Sequence, residues 1–296
     1  MYDILSQSVN ILLSFFLFAA LLSLGLTLTL PQIIEPMRNK RLVFKSLIVS
    51  VFLSPLLAVA VTAFISMDDG LRTGILLFAV AAGAEAGPKV VQLARGNAPL
   101  AFGLLTLQLI ITITFLPIFI GLVTADADVD RGTLILKLSL VIAVPLGLGL
   151  IINARDEGVA ARLNRFIHPL SIMLLSLIFL LLVYVNFQAV RALQPGAIVA
   201  GLLFFVSAFF VGYLAGGPAT ENRRALAVMT FGRSGGICIL VASQVFAEEP
   251  EVLLMTTLMA AGSLVMAVLV ILGLRVVDSL TSTVPEANGG QRNQGS

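Results

Sequence analysis

The sequence has few charges and almost none of the residues that form cross-links or metal clusters. Of its 296 residues only 11% are charged, whereas an ordinary soluble domain has about a quarter. The single cysteine, Cys238, excludes an internal disulfide, and together with the single histidine, His168, it excludes a Cys/His metal cluster. Cys238 is expected to be a small apolar filler. We expect no cofactor, no metal site and no nucleic-acid partner.

Apolar residues dominate instead, at 58% of the chain with a mean hydropathy of +1.05. A helix needs about 20 mostly apolar residues to cross a bilayer. The sequence therefore predicts an all-α membrane protein with nine transmembrane helices, and the polar remainder, 279–296, predicts a disordered tail. Because no basic segment precedes the first apolar run, we expect that run to remain as a span. The predicted segments are about 8–30, 42–66, 70–95, 98–123, 131–153, 163–187, 195–216, 222–247 and 250–277.

Lys and Arg lie mainly on one side of the predicted segments, and that side is expected to be cytoplasmic. The predicted topology places the N-terminus outside and the C-terminus in the cytoplasm, as in a multi-pass protein of the plasma membrane, here a bacterial inner membrane. The basic side holds Arg38, Lys40, Arg41, Lys45, Arg95, Arg155, Arg162, Arg165, Arg223, Arg224, Arg275 and Arg292, and the other side Arg72, Arg131, Lys137 and Arg191.

Two of the segments are interrupted by short stretches rich in glycine and charge. The first break is 83–89, and the second is 232–236. Broken backbone and full charges at membrane depth are costly, so they occur mainly where they line a cavity or a passage. The two broken segments run in opposite directions, each between two long spans. This pattern is typical of a transporter built as an inverted repeat.

The charges in the two breaks are predicted to lie near the middle of the membrane. Glu85 is ten residues from Arg95, and Arg233 is ten residues from Arg223. At about 1.5 Å per residue, both should lie roughly 15 Å deep. We expect Glu85 and Arg233 to face one another or a shared cavity, whereas the stem of Lys89 is long enough to reach water.

Two interpretations of these charges stay open. One is a structural ion pair of Glu85 with Arg233 or Lys89, which desolvation would make a poor stabiliser. The other is that the cations receive an anionic substrate, helped by the positive N-termini of the half-helices. The candidate site comprises Glu85, Lys89, Arg233 and Ser234 for substrate binding or coupling, with Gly83, Gly87, Pro88, Gly232, Gly235 and Gly236 shaping the backbone. Nearby polar residues would line the cavity or join helices: Gln92, Thr106, Gln108, Ser243 and Gln244.

The second break also matches the short serine-nucleophile pattern G-x-S-x-G. A serine nucleophile needs a base within hydrogen-bond reach. His168 is predicted near the cytoplasmic end of another segment, and no strand–turn–helix context surrounds Ser234. The sequence therefore disfavours a hydrolase, and we expect no enzymatic activity.

Three short motifs resemble the bile acid:sodium symporter family. They are "G-L-T-L" within Ser23–Leu28, "L-A-R-G-N" at Leu93–Asn97, and Arg224–Leu226 ahead of the second break. The resemblance implies an inverted-repeat carrier of organic anions. It further implies panel helices at about 8–30, 131–153 and 163–187, and core helices at about 42–123 and 195–277, in a single transporter domain over 1–278.

The resemblance also implies sodium sites, but this chain departs from the family pattern there. The family uses a Ser-Asn pair in the first break, hydroxyls in the next helix, and a Glu and a Gln in the second crossover. The corresponding positions here are Gly87 with Pro88, Ala101 with Leu105, and Met229 with Arg233. Because sodium needs several oxygen ligands, we expect transport of a small organic anion that is not sodium-coupled.

Lys89 and Arg233 would supply fixed positive charge in place of the ion. The alternative is a membrane sensor or subunit that has lost transport on the same fold. A channel is disfavoured because rings of like charge are not evident. The expected partners are the anion and the lipid bilayer, and the sequence names no protein partner.

Overall fold

In a computed structural model of the chain, residues 2–27, 40–123, 131–185, 194–246 and 248–282 are described. Every regular element within these ranges is a helix, and the only strand-like pairing there is a one-residue bridge. The helices are α1 (Tyr2–Thr27), α2 (Lys40–Leu47), a π-helical segment (Ile48–Leu53), α3 (Ser54–Phe64), α4 (Asp69–Val80), α5 (Gly87–Leu93), α6 (Ala98–Val123), α7 (Arg131–Arg155), α8 (Glu157–Val185), α9 (Pro195–Ala215), α10 (Thr220–Phe231), α11 (Gly235–Val245) and α12 (Pro250–Ser282).

The predicted all-α class is confirmed, and the apolar segments are helical over most of their described length, apart from the two breaks and some segment ends. Three stretches, Lys40–Phe64, Pro195–Ala215 and Pro250–Ser279, are long and apolar enough to cross a membrane. The count of nine spans stays a prediction. The last helix continues to Ser282, four residues into the predicted tail, and the rest of that tail, 283–296, lies outside the described residues.

Large apolar side chains are displayed on the outer surface of the helices. Phe64 is 91% exposed, Phe166 76% and Leu214 75%. On a protein in water such an apolar surface would be an aggregation liability, whereas lipid solvates it. The exposed side chains therefore fit a protein that lies in a bilayer.

The helices α1, α7 and α8 pack against one another. Two glycines permit the closest approach: a Cβ added to Gly149 would lie 2.8 Å from the Cα of Gly25 and 2.6 Å from the backbone oxygen of Leu22. Small residues at such contacts allow the backbones of membrane helices to touch. These three helices are the ones predicted to form the panel, although the division into panel and core stays a prediction.

Aromatic packing joins α4 to α9. The ring of Phe78 meets those of Phe204 and Phe205 edge to face, with centroids 6.4 Å and 6.0 Å apart. All three side chains are buried. Edge-to-face pairs of this kind add to the energy of burial itself, so they fix α4, the helix that leads into the first break.

The glycine contact between α1 and α7 gives a testable prediction. Gly149→Ala should lower the melting temperature of the purified protein, because overpacking a close contact costs about 1–3 kcal/mol. Gly147→Ala on the same helix is the matched control, since a Cβ there meets nothing within 4 Å. The control should melt at the native temperature or slightly higher. Equal melting of the two variants would contradict the close approach.

Candidate functional site

The first break is a short non-helical segment held by one glycine. Helix α4 ends at Val80 and α5 begins at Gly87, with Pro88 in its first turn. Gly83 adopts φ +102°, a conformation that L side chains rarely adopt. Pro88 lacks an N–H, which costs nothing at the start of a helix. The sequence thus both stops α4 and restarts the helix as α5.

The second break is shorter and ends in a capping serine. Helix α10 ends at Phe231, and Gly232 is extended, with ψ 128°. The hydroxyl of Ser234 accepts a hydrogen bond from the Ile237 N–H at 3.4 Å, which makes Ser234 the N-cap of α11. A serine at this position satisfies one of the unpaired N–H groups of the helix start.

The two breaks lie against each other and cross in opposite directions. Ala82 and Arg233 form an antiparallel bridge, and the Ser234 N–H donates to the Ala81 carbonyl at 3.0 Å. The antiparallel sense accords with the opposite directions expected of the two segments. Backbone groups freed by one break are therefore satisfied by the other, which is how broken helices are tolerated at membrane depth.

Small residues permit this crossing. A Cβ added to Gly232 would lie 3.1 Å from the Cβ of Ala84, and one added to Gly87 would lie 2.7 Å from the Sδ of Met229. A larger side chain at Gly232 would press on Ala84, and one at Gly87 would displace the Met229 thioether. The glycines that the sequence marked as backbone residues thus lie in the contact between the breaks.

Glu85 is bound by the opposite break. The Ser234 hydroxyl donates to the Glu85 Oε1 at 2.5 Å. Ser234 is fully buried, while Glu85 is half-buried. This bond ties the first break to the N-cap of α11.

Arg233 has no such partner. Its side chain is 2% exposed, and none of Nε, Nη1 and Nη2 has a hydrogen-bond acceptor among the described residues. No ion pair joins Glu85 to Arg233 or to Lys89 there. Arg233 is closed off from solvent in this conformation instead of lining a watery cavity.

Lys89 stands apart from the other two charges. It is exposed, and its Nζ donates to the Gln92 Oε1 at 3.3 Å, one turn along α5. This position agrees with the expectation that the long side chain of Lys89 reaches water. The structure therefore brings Glu85, Ser234 and Arg233 together and leaves Lys89 at the edge.

Buried polar side chains on other helices support the crossing. The Gln108 Nε2 donates to the Ser50 Oγ at 2.8 Å and to the Met229 carbonyl at 3.3 Å, and the Thr112 hydroxyl donates to the Ala82 carbonyl at 2.8 Å. Gln108 is thus an interhelical hydrogen bonder, one of the two roles left open. Sequence reasoning missed Ser50 and Thr112. The only feature that could have indicated them is that each is a polar residue within an apolar run.

An ion-pair cluster fastens the basic ends of both broken segments. Arg224 donates to both carboxylate oxygens of Asp278 on α12 and, at 3.1 Å, to the Ala94 carbonyl that follows α5. The Asn97 amide donates to the Asn222 Oδ1 at 2.8 Å. Sequence reasoning missed Asp278. The feature that could have indicated it is a single acidic residue that follows a long apolar run on the predicted basic side.

The second break is covered by α1. A Cβ added to Gly236 would lie 2.7 Å from both the Phe16 ring and the Leu17 side chain. Phe16 is 6% exposed and Leu17 is fully buried. These two side chains therefore close the side of the break just beyond Arg233.

The described residues offer little for metal or serine chemistry. No group of three or more His, Cys, Asp or Glu side chains in that part could hold a metal ion. The Ser234 hydroxyl binds Glu85, whereas His168 lies 3.4 Å from Ser23. The arrangement provides buried positive charge, which suits binding of an anion, and a carboxyl group that is hydrogen-bonded to Ser234.

Comparison with known proteins gives two matches. The family model "Sodium Bile acid symporter family" matches residues 14–213, which include the first break but end before α10. A rice protein (Oryza sativa subsp. japonica) named "Probable sodium/metabolite cotransporter BASS2, chloroplastic" is 23% identical over 194 residues, covering 65% of this chain and 46% of the relative. The chain spans about half the length of that relative.

The hydrogen bond between the breaks gives a second prediction. Ser234→Ala should destabilise the protein by about 1–3 kcal/mol, because it removes the N-cap and leaves the Glu85 carboxylate without its donor. Ser243→Ala is the matched control on the same helix, since its hydroxyl donates only to the Leu240 carbonyl one turn back. Thermal unfolding in detergent measures both. Equal melting temperatures of Ser234→Ala and the native protein would refute the bond.

Proposed function

Because the chain belongs to the sodium bile acid symporter family, we propose that it is a secondary transporter of a small organic anion that works by alternating access without sodium. The family and the named relative indicate a membrane transporter, not an enzyme. The observation that carries the finer proposal is the buried guanidinium of Arg233 at the crossing of the two breaks.

The chemistry of Arg233 favours a carboxylate as the group that is carried. A guanidinium stays charged and presents its N–H donors in a rigid planar fork that matches a carboxylate. An unpaired buried charge is strongly unfavourable, and no acceptor among the described residues reaches this one. An anion bound beside Arg233 would relieve that cost. The N-terminus of α11, which starts two residues later, adds positive potential.

Independence from sodium follows from the same residues. Sodium binding in this family is expected at oxygen-bearing side chains, where this chain has Met229 and Arg233. The Met229 sulfur packs toward Gly87, and a thioether is a poor ligand for a hard cation. A fixed guanidinium at this place would repel a sodium ion and take over its positive charge. Transport would then proceed as uniport, as exchange, or coupled to protons through Glu85.

Movement of α1 relative to the crossing would provide access. Phe16 and Leu17 cover Gly236, one turn beyond Arg233. The contact at Gly236 is made by the apolar side chains of Phe16 and Leu17, so separating these surfaces there breaks packing. Alternating exposure of Arg233 to the two sides would follow from rocking of α1, α7 and α8 against the crossing.

Transport in proteoliposomes tests the proposal. A set of small carboxylates is first screened for thermal stabilisation of the purified protein, and uptake of the best one is measured under equal inward gradients of sodium or potassium. We expect uptake rates that agree within about twofold between the two cations. Arg233→Gln should lower uptake at least about tenfold, because a charge-assisted hydrogen bond contributes about 1.5–3 kcal/mol.

Two variants make the result specific. Arg275→Gln removes an exposed charge on α12 and should transport at the native rate. Arg233→Lys keeps the charge without the planar fork and should fall between the native protein and Arg233→Gln. Sodium-driven uptake by the native protein, or full activity of Arg233→Gln, would overturn the proposal.

A further inference from the structure

A cavity of about 520 Å³ lies away from the crossing, between the ends of α1, α7 and α8. Its size falls within the range of roughly 300–1,000 Å³ typical of small-molecule sites. The predicted topology places it on the basic, cytoplasmic side of the membrane. Its lining consists of Leu26, Thr27, Asn153, Glu157, Ala161, Asn164, Arg165, His168 and Pro169.

One face of α8 supplies most of the polar lining. With Ala161 between them, Glu157, Asn164, Arg165 and His168 follow the three- and four-residue spacing that brings side chains to one side of a helix. Glu157 is eight residues from Arg165, or roughly 12 Å along the axis. The cavity thus has an acidic end at Glu157 and a basic end at Asn164, Arg165 and His168.

A buried serine of α1 organises the basic end. The Ser23 hydroxyl donates to the Asn164 Oδ1 at 2.6 Å and lies 3.4 Å from the His168 Nδ1. Ser23 itself is only 5% exposed. With its oxygen engaged, Asn164 presents its amide N–H groups as donors. With Nδ1 beside Ser23, His168 keeps Nε2 for another partner.

Arg165 adds a charge that the protein itself does not neutralise. No carboxylate lies within ion-pair distance of Arg165 among the described residues. Arg165 is exposed, so water solvates its charge, and leaving it without a ligand costs little free energy. The basic end therefore combines a guanidinium, amide N–H donors and an imidazole on a preformed wall.

We propose that this cavity binds a phosphate group at the Asn164–Arg165–His168 end. Guanidinium and N–H donors together make the short, charge-assisted bonds that phosphate oxygens accept. Basic pockets between membrane helices on the cytoplasmic side suit the phosphate of a lipid headgroup. The same chemistry suits a soluble phosphate compound from the cytoplasm. Glu157, at the far end, disfavours a ligand with anionic groups at both ends.

Native mass spectrometry of the full-length protein tests the site. Detergent-purified protein is mixed with phosphatidylglycerol or with phosphatidylcholine, and the retained lipid is counted. In parallel, the shift in melting temperature is measured with inorganic phosphate against chloride at equal ionic strength. We expect Arg165→Gln to weaken binding of the phosphate-bearing probe at least about tenfold.

Arg162→Gln is the matched control. It removes the same charge from the same helix, three residues away, but Arg162 does not line the cavity, and its Nε donates to the Gly158 carbonyl. The control should bind as the native protein does. Asn164→Ala, which removes an uncharged donor, should also weaken binding while leaving the net charge unchanged.

The two arms separate the sources of the phosphate. A preference for phosphatidylglycerol without stabilisation by inorganic phosphate assigns a lipid headgroup, and stabilisation by phosphate alone assigns a soluble compound. Equal losses in Arg165→Gln and Arg162→Gln would mean general charge attraction and would overturn the proposal. So would absence of any preference in both arms. Transport is not measured, so the result stands apart from the proposed transport function.

Discussion

The buried charge of Arg233 is the constraint on which the rest of the site depends. A guanidinium that is 2% exposed and has no acceptor among the described residues is costly unless a counter-charge or an acceptor reaches it. The bridge to Ala82 and the bond from Ser234 to Glu85 fix the backbone on both sides of it. The backbone around the charge is therefore fixed by its neighbours, and the proposed anion would supply the counter-charge that the described residues do not.

The glycines of the two breaks explain how that arrangement is built. Gly232 and Gly87 let the breaks touch each other, whereas Gly236 lets α1 touch the second break. The first contact carries hydrogen bonds and an antiparallel bridge, whereas at the second the apolar side chains of Phe16 and Leu17 pack against Gly236. A contact made only of packing separates more easily than one that would leave buried polar groups unpaired. Motion is thus expected between α1 and the crossing and not within the crossing.

Sequence reasoning predicted the helices and the location of the breaks, but not the pairing inside them. Glycine and full charge occurring together within an apolar run mark the breaks, because both are costly in a membrane helix, whereas Pro145 alone lies inside the continuous helix α7. The partner of Glu85 depends on how α4, α5, α10 and α11 are rotated about their axes, which hydropathy does not encode. The same holds for Gln108 with Ser50, and for Arg224 with Asp278, which lie far apart in the chain.

Both proposed anion sites involve α1, and their different burial determines what each could do. Arg233 is desolvated, so an anion there changes the local energy greatly, whereas Arg165 is hydrated, so an anion there gains less and must rely on a preformed set of donors. Leu26 in the cavity wall is ten residues from Phe16, or roughly 15 Å along α1. A phosphate group that links α8 to this end of α1 would restrain the helix that covers Gly236. Occupancy of the cavity would then act on the covering contact through a rigid helix, without any change at Arg233 itself.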